Sequence, residues 1–121
     1  MDADPIARGW IDYWNEHERT GKFPDSDVGD FAHNLDQEMV WMVILKILDL
    51  IDPDPKAPLF QVLAAGPTED FLAEHGLTVN DKVEAEVLRN PRLKLLLGGV
   101  WRHGMPDDIW ARVEKCRREG A

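Results

Sequence analysis

Glu69, Asp70 and His75 are the residues whose types suit proton transfer, since two carboxylates beside an imidazole are the raw material of hydrolytic acid–base chemistry. Their spacing works against that use. Consecutive helical residues point about 100° apart, so Glu69 and Asp70 do not face one ligand. His75 stands five positions beyond Asp70, off the ridges that bring helical side chains together. A structural use fits better. Both acids suit the start of a helix, where free amides and the dipole favour negative charge, and His75 suits its last turn. Glu84 or His103 would have to arrive from neighbouring helices to complete a hydrolytic or ligand-binding site.

Other chemistry is weaker still. Asp27, Asp30 and His33 recur at intervals of three, but that spacing drifts around a helix and supplies no fourth metal ligand. A calcium loop from Asp25 fails because Gly29 and Asp30 stand in reverse order and Asp36 replaces the closing glutamate. The single cysteine, Cys116, falls on an apolar stripe and reads as an inert thiol. Gly98-Gly99 lacks the strand–loop–helix setting of a phosphate loop and suits close helix packing or a kink. Ser26 is the only serine, and no nucleophile elbow exists. The expectation is therefore no metal, no cofactor and no catalytic residue.

Aromatic side chains and charge say more. Five tryptophans stand in 121 residues, and tryptophan is enriched at binding hot spots. Trp10 and Trp14 share a helix face, with Asp12, Glu16 and Glu18 around them. Trp101 and Trp110 read as core members. The net charge is −9, of which residues 1–60 hold −8, from 13 acids and 5 bases. Such a chain repels phosphate backbones and anionic membranes, and favours encounter with a basic protein surface. No apolar run reaches the ~18 residues of a membrane span, and no secretory leader is visible, so a cytoplasmic location is expected.

Glycine and proline punctuate helices along the whole chain. A first helix is predicted over 5–19, ended by Thr20-Gly21; a short one follows at 27–34 after a loop. Asn34 or Asp36 caps the strongest helix, 35–51, whose Val40, Val43, Ile44, Ile47 and Leu48 make it central. Asp52-Pro53-Asp54-Pro55 is a rigid turn. Next come helices at 58–65 and 67–75, separated by a turn at Gly66-Pro67, with Gly76 as a left-handed cap. Three more are predicted: 78–89, one starting at Asn90-Pro91 and closed by Gly104, and 106–119. The fold expected is all-α: one domain of about six or seven short helices in a compact bundle, stacked in antiparallel pairs as in helical repeats.

The run Leu63-Ala64-Ala65-Gly66-Pro67-Thr68-Glu69-Asp70-Phe71-Leu72, with His75-Gly76, resembles the core of a bacterial domain family of unknown function. The likeness continues through Val83–Glu86, Asn90–Leu93 and Leu97–Trp101, covers roughly residues 57–110, and leaves 1–35 as an N-terminal extension. Thr68 stands where that family has leucine, and Leu93 where an aromatic is common; both read as packing changes. The resemblance implies a small helical bacterial domain and no activity. The leading functional expectation is a non-catalytic protein-binding domain, of the immunity, antitoxin-like or anti-defence inhibitor kind, using Trp10, Trp14, Glu16, Glu18, Glu69, Asp70 and His75. The alternative is a small hydrolase or ligand-binding domain built on Glu69, Asp70 and His75. Self-association as a homodimer is compatible with either.

Overall fold

Helix α1 (Ala3–Thr20) begins where the Asp2 side chain accepts a hydrogen bond from the Asp4 N–H, and ends at Gly21, which adopts φ 74°. In this computed structural model residues 2–102 and 104–119 are described. A turn of 3₁₀ helix (Asp27–Asp30) runs into the short α2 (Phe31–Asn34). Asp36 caps α3 (Gln37–Leu50) by accepting from the Met39 N–H at 2.9 Å. Then follow α4 (Pro58–Leu63), a π-helical segment (Ala64–Thr68), α5 (Glu69–Val87), α6 (Pro91–Leu97) and α7 (Asp107–Glu119). No strand occurs among the described residues, and none of their helices is long and apolar enough to cross a membrane. The fold is an all-α bundle.

Helix α3 is the centre. Val40, Val43, Ile44 and Ile47 are completely buried on it, and α1 packs along it through Ala3, Ala7 and Trp10. Its C-terminal carbonyls would be orphaned at Asp52-Pro53. The Arg92 guanidinium solves this by donating to the carbonyls of Leu48, Asp49 and Ile51 at 3.1–3.3 Å, a cation at the negative end of the helix. Asn90 caps α6 through the Leu93 N–H, as its place before Pro91 suggests. Helix α7 lays Ile109, Val113 and Cys116 into the core and packs on α5 and α6.

The stretch from Pro58 to Val87 departs from expectation. The chain does not turn at Gly66-Pro67; it continues helically from α4 to α5 through one widened π turn. Proline has no N–H to give, and in a regular α-helix its ring collides with the carbonyl four residues back, here that of Leu63. Widening the turn accommodates it without breaking the helix. Burial of Pro67 and Thr68 holds the segment in place. Gly76 is likewise not a left-handed cap but the interior of a 19-residue helix. A β-carbon on Gly76 would lie 2.6 Å from Ile109 Cγ2, so the residue is small because α7 crosses there. Thr78 does not open a new helix: its hydroxyl donates back to the His75 carbonyl at 2.9 Å. Gly104, at φ 82°, lies in the turn before α7, well past the end of α6 at Leu97.

Candidate functional site

Because α5 begins inside a continuous helix, Glu69 and Asp70 have no free helix start to satisfy, and their side chains reach elsewhere. Glu69 is only 6% exposed, and its Oε2 accepts the Trp101 N–H at 3.2 Å. Asp70 faces the opposite neighbour: its Oδ2 lies 3.2 Å from His33 Nε2 on α2. His75 is half-buried, with its ring 5.7 Å from Phe71 and its Nε2 3.7 Å from Glu74. The three candidates for acid–base chemistry thus engage three different partners. Glu84, proposed to join them, is bound by the Arg112 guanidinium, which also holds Asp81 at 2.5 Å. That arrangement holds Arg112 firmly charged. His103 lies outside the described residues.

His33 is the partner that the sequence did not assign to Asp70. Its second nitrogen, Nδ1, faces Glu74 Oε1 at 3.7 Å, so both ring nitrogens are turned to carboxylates. An imidazole placed this way links α2 to α5, through a hydrogen-bonded contact to Asp70 and a longer ionic one to Glu74. Asp27 and Asp30 do not join His33 in a ligand set; among the described residues no three His, Cys, Asp or Glu side chains are grouped to hold a metal ion.

The tryptophans divide differently from expectation. Trp10 is 0% exposed, because the three-and-four spacing Ala3–Ala7–Trp10 faces α3, and it therefore cannot contribute to a surface. Trp14, one turn further, is half-buried at the edge of the bundle. Around it gathers an aromatic cluster: Tyr13 edge-on at 5.4 Å, His17 edge-on at 5.5 Å and Phe23 edge-on at 5.9 Å. Phe23 stacks flat on His17, with centroids 4.0 Å apart, yet remains 63% exposed. Glu16 and Glu18 are exposed on the same helix, with Glu16 paired to Arg19 at 2.6 Å. The only sequence sign of Phe23 is an aromatic placed in a polar loop, between Gly21 and Pro24, where no helical stripe accounts for it.

Trp101 is the second correction. It is 74% exposed rather than core: α6 ends at Leu97, and beyond that end Val100 stays buried while Trp101 is left outside. It borders an uncharged groove of about 530 Å³ with Phe60, Ala65, Leu95 and Gly98. The Arg117 guanidinium fixes this bend by donating to the Gly98 and Val100 carbonyls while lying 5.5 Å from the Trp110 ring. Cys116 is buried on α7, and burial, with Glu84 nearby, pushes its thiol above the ordinary range.

Residues 15–121 match the pattern of a family of unknown function. The chain belongs to that family, DUF6869. The match takes in far more than the stretch around Gly66-Pro67: it includes Phe23, α2 with His33, and the whole π turn. No curated protein matches the chain, and no solved structure does.

Proposed function

We propose that this chain is a non-catalytic protein-binding domain whose partner presents a basic surface. The observation that carries the reading is Phe23: an aromatic ring 63% exposed, held rigid by stacking on His17 and by the edge of Trp14. An exposed aromatic that loses little freedom on docking is the usual anchor of a binding hot spot. It lies in the half of the chain that holds −8 of the net charge, a field that favours approach of cations. A bacterial or phage inhibitor, of the immunity or antitoxin-like kind, is the form of this role that a small acidic helical domain fits best. The hydrolase alternative finds no support in the geometry of Glu69, Asp70 and His75, each of which faces a different partner.

The test is affinity capture from the native host with the wild-type chain and with Phe23→Ala, read by mass spectrometry and then by binding kinetics. A stoichiometric basic partner is expected, held at least tenfold more weakly by the variant, as for loss of a hot-spot side chain of about 1.4 kcal/mol or more. A partner retained equally by both proteins, or no stoichiometric partner, overturns the reading.

A further inference from the structure

The aromatic face continues past Trp14 into a cleft of about 320 Å³ between α1, the 3₁₀ turn, α2 and the π segment. Its construction is mixed. Trp14 supplies an aromatic wall, Val62 and Pro67 an apolar side, and Asp30, His33 and Asp70 the polar side. The 3₁₀ turn reaches this position because Gly29 lacks a side chain: a β-carbon there would lie 2.7 Å from the Tyr13 ring. The Asp30 side chain is exposed and makes no hydrogen bond or ion pair among the described residues. Asp70 engages His33 through Oδ2, which leaves Oδ1 for another donor. Asp70 and Glu74 face the His33 imidazole, Glu74 also faces His75 beyond the cleft, and Asp30 lines the cleft without an ion pair, so the carboxylates outnumber the imidazoles.

An aromatic wall, an apolar side and carboxylates with free oxygens are complementary to one side chain above others. A guanidinium lies flat on aromatic rings, forks its N–H groups onto carboxylates, and trails a methylene stem that packs on apolar surface. We infer that the cleft accepts an arginine side chain of the basic protein partner. Arginine is preferred to lysine because a compact ammonium is more strongly hydrated and cannot fork two carboxylates while stacking. The inference rests on the protein-binding reading and names the partner's contact at one end of the same face.

The experiment is a nuclear magnetic resonance titration of the full ¹⁵N-labelled chain with N-acetyl-arginine amide, its uncharged isostere N-acetyl-citrulline amide, and N-acetyl-lysine amide. The arginine compound is expected to shift the Trp14 indole N–H and the amides of Gly29 and Gly66, with the citrulline compound at least about tenfold weaker. Asp30→Asn, which removes no contact from the fold, should weaken arginine binding about fivefold or more while leaving the rest of the spectrum unchanged. Equal binding of citrulline, shifts centred elsewhere, or none at millimolar ligand overturn the cleft. Tighter binding of the lysine compound overturns the choice of arginine. The two readings fail separately. A partner lost with Phe23→Ala but indifferent to Asp30→Asn sinks the cleft alone. A cleft that takes arginine, with no partner sensitive to Phe23→Ala, sinks the proposed docking face and with it the inference.

Discussion

Glu69 and Trp101 show how one buried carboxylate can hold the backbone that carries an exposed ring. The side chain of Glu69 reaches from α5 to the backbone N–H of Trp101, which would otherwise have no partner in the bend after α6. Glu69→Ala should destabilise the fold by about 1–3 kcal/mol, the cost of leaving a half-buried donor unsatisfied, as read by chemical denaturation. Glu69→Gln keeps an acceptor oxygen and should lose less. The ring itself is predicted to be the main acrylamide-accessible fluorophore, since Trp10 and Trp41 are buried. Trp101→Phe should therefore remove most of the readily quenched emission and move the remainder to shorter wavelength. Cys116 is the opposite case. Its burial and raised thiol pKa keep the reactive thiolate scarce, so alkylation of the native protein should be at least about tenfold slower than after unfolding. A rate equal in both states would contradict its placement.

Among the elements, the two glycines flanking the start of α5 make the sharpest contrast. Gly66 lies in the π turn with nothing within 4 Å of a would-be β-carbon, whereas Gly76 has Ile109 at 2.6 Å. Both lie in helical conformations without positive φ. Gly66→Ala is thus predicted to be neutral or stabilising by about 0.4–1 kcal/mol, through the reduced freedom of the unfolded chain. Gly76→Ala should cost about 1–3 kcal/mol, because α7 must move or Ile109 must leave its rotamer. Thermal melts of the two variants would check both signs. Had Gly76 been a left-handed cap, alanine there would have been costly for a different reason and Ile109→Ala would not rescue it. With the crossing observed, Ile109→Ala should recover part of the loss.

For the whole molecule, charge sets the terms. With a net charge of −9, association with the proposed basic partner is predicted to depend steeply on salt, chiefly in the on-rate, as screening shortens to about 8 Å near 0.15 M. The same acids make the fold sensitive to pH at one defined point. Asp4 on α1 accepts from Arg8 at 2.9 Å and lies 3.4 Å from the Lys46 Nζ on α3. The Arg8 hydrogen bond, with the field of Lys46 added, holds its carboxyl below the usual 3.8. A depressed carboxyl stabilises the fold above its unfolded value, and that contribution is lost as pH falls through the folded one. Asp4→Asn should accordingly be less stable than wild type near neutral pH, with the difference closing as pH falls well below 3.8. Urea midpoints measured between about pH 6 and pH 2 would show it.

Local signals carried most of the helices into view. The caps Asp36 and Asn90, the stop at Gly21 and the stripe Val40–Val43–Ile44–Ile47 act over a few residues, so they stand in the sequence as they stand in the fold. Gly66-Pro67 and Gly76 misled for the same reason. Their local meaning is turn and cap, and only the packing of Pro67, Thr68 and Ile109 around them gives a continuous helix. The candidate site was legible in residue types but not in partners. Asp70 and His33 stand 37 positions apart, and Glu69 and Trp101 stand 32 apart. No periodicity relates such pairs. The sequence by itself determined an acidic all-α chain rich in tryptophan, because charge, composition and helical period are local or summed properties. The tertiary structure alone decided which tryptophans are buried, that Phe23 stands exposed against His17 and Trp14, and that α1, α2 and the π turn close around one cleft. Those outcomes depend on where helices cross, and crossing is set by the packing of side chains remote in the chain.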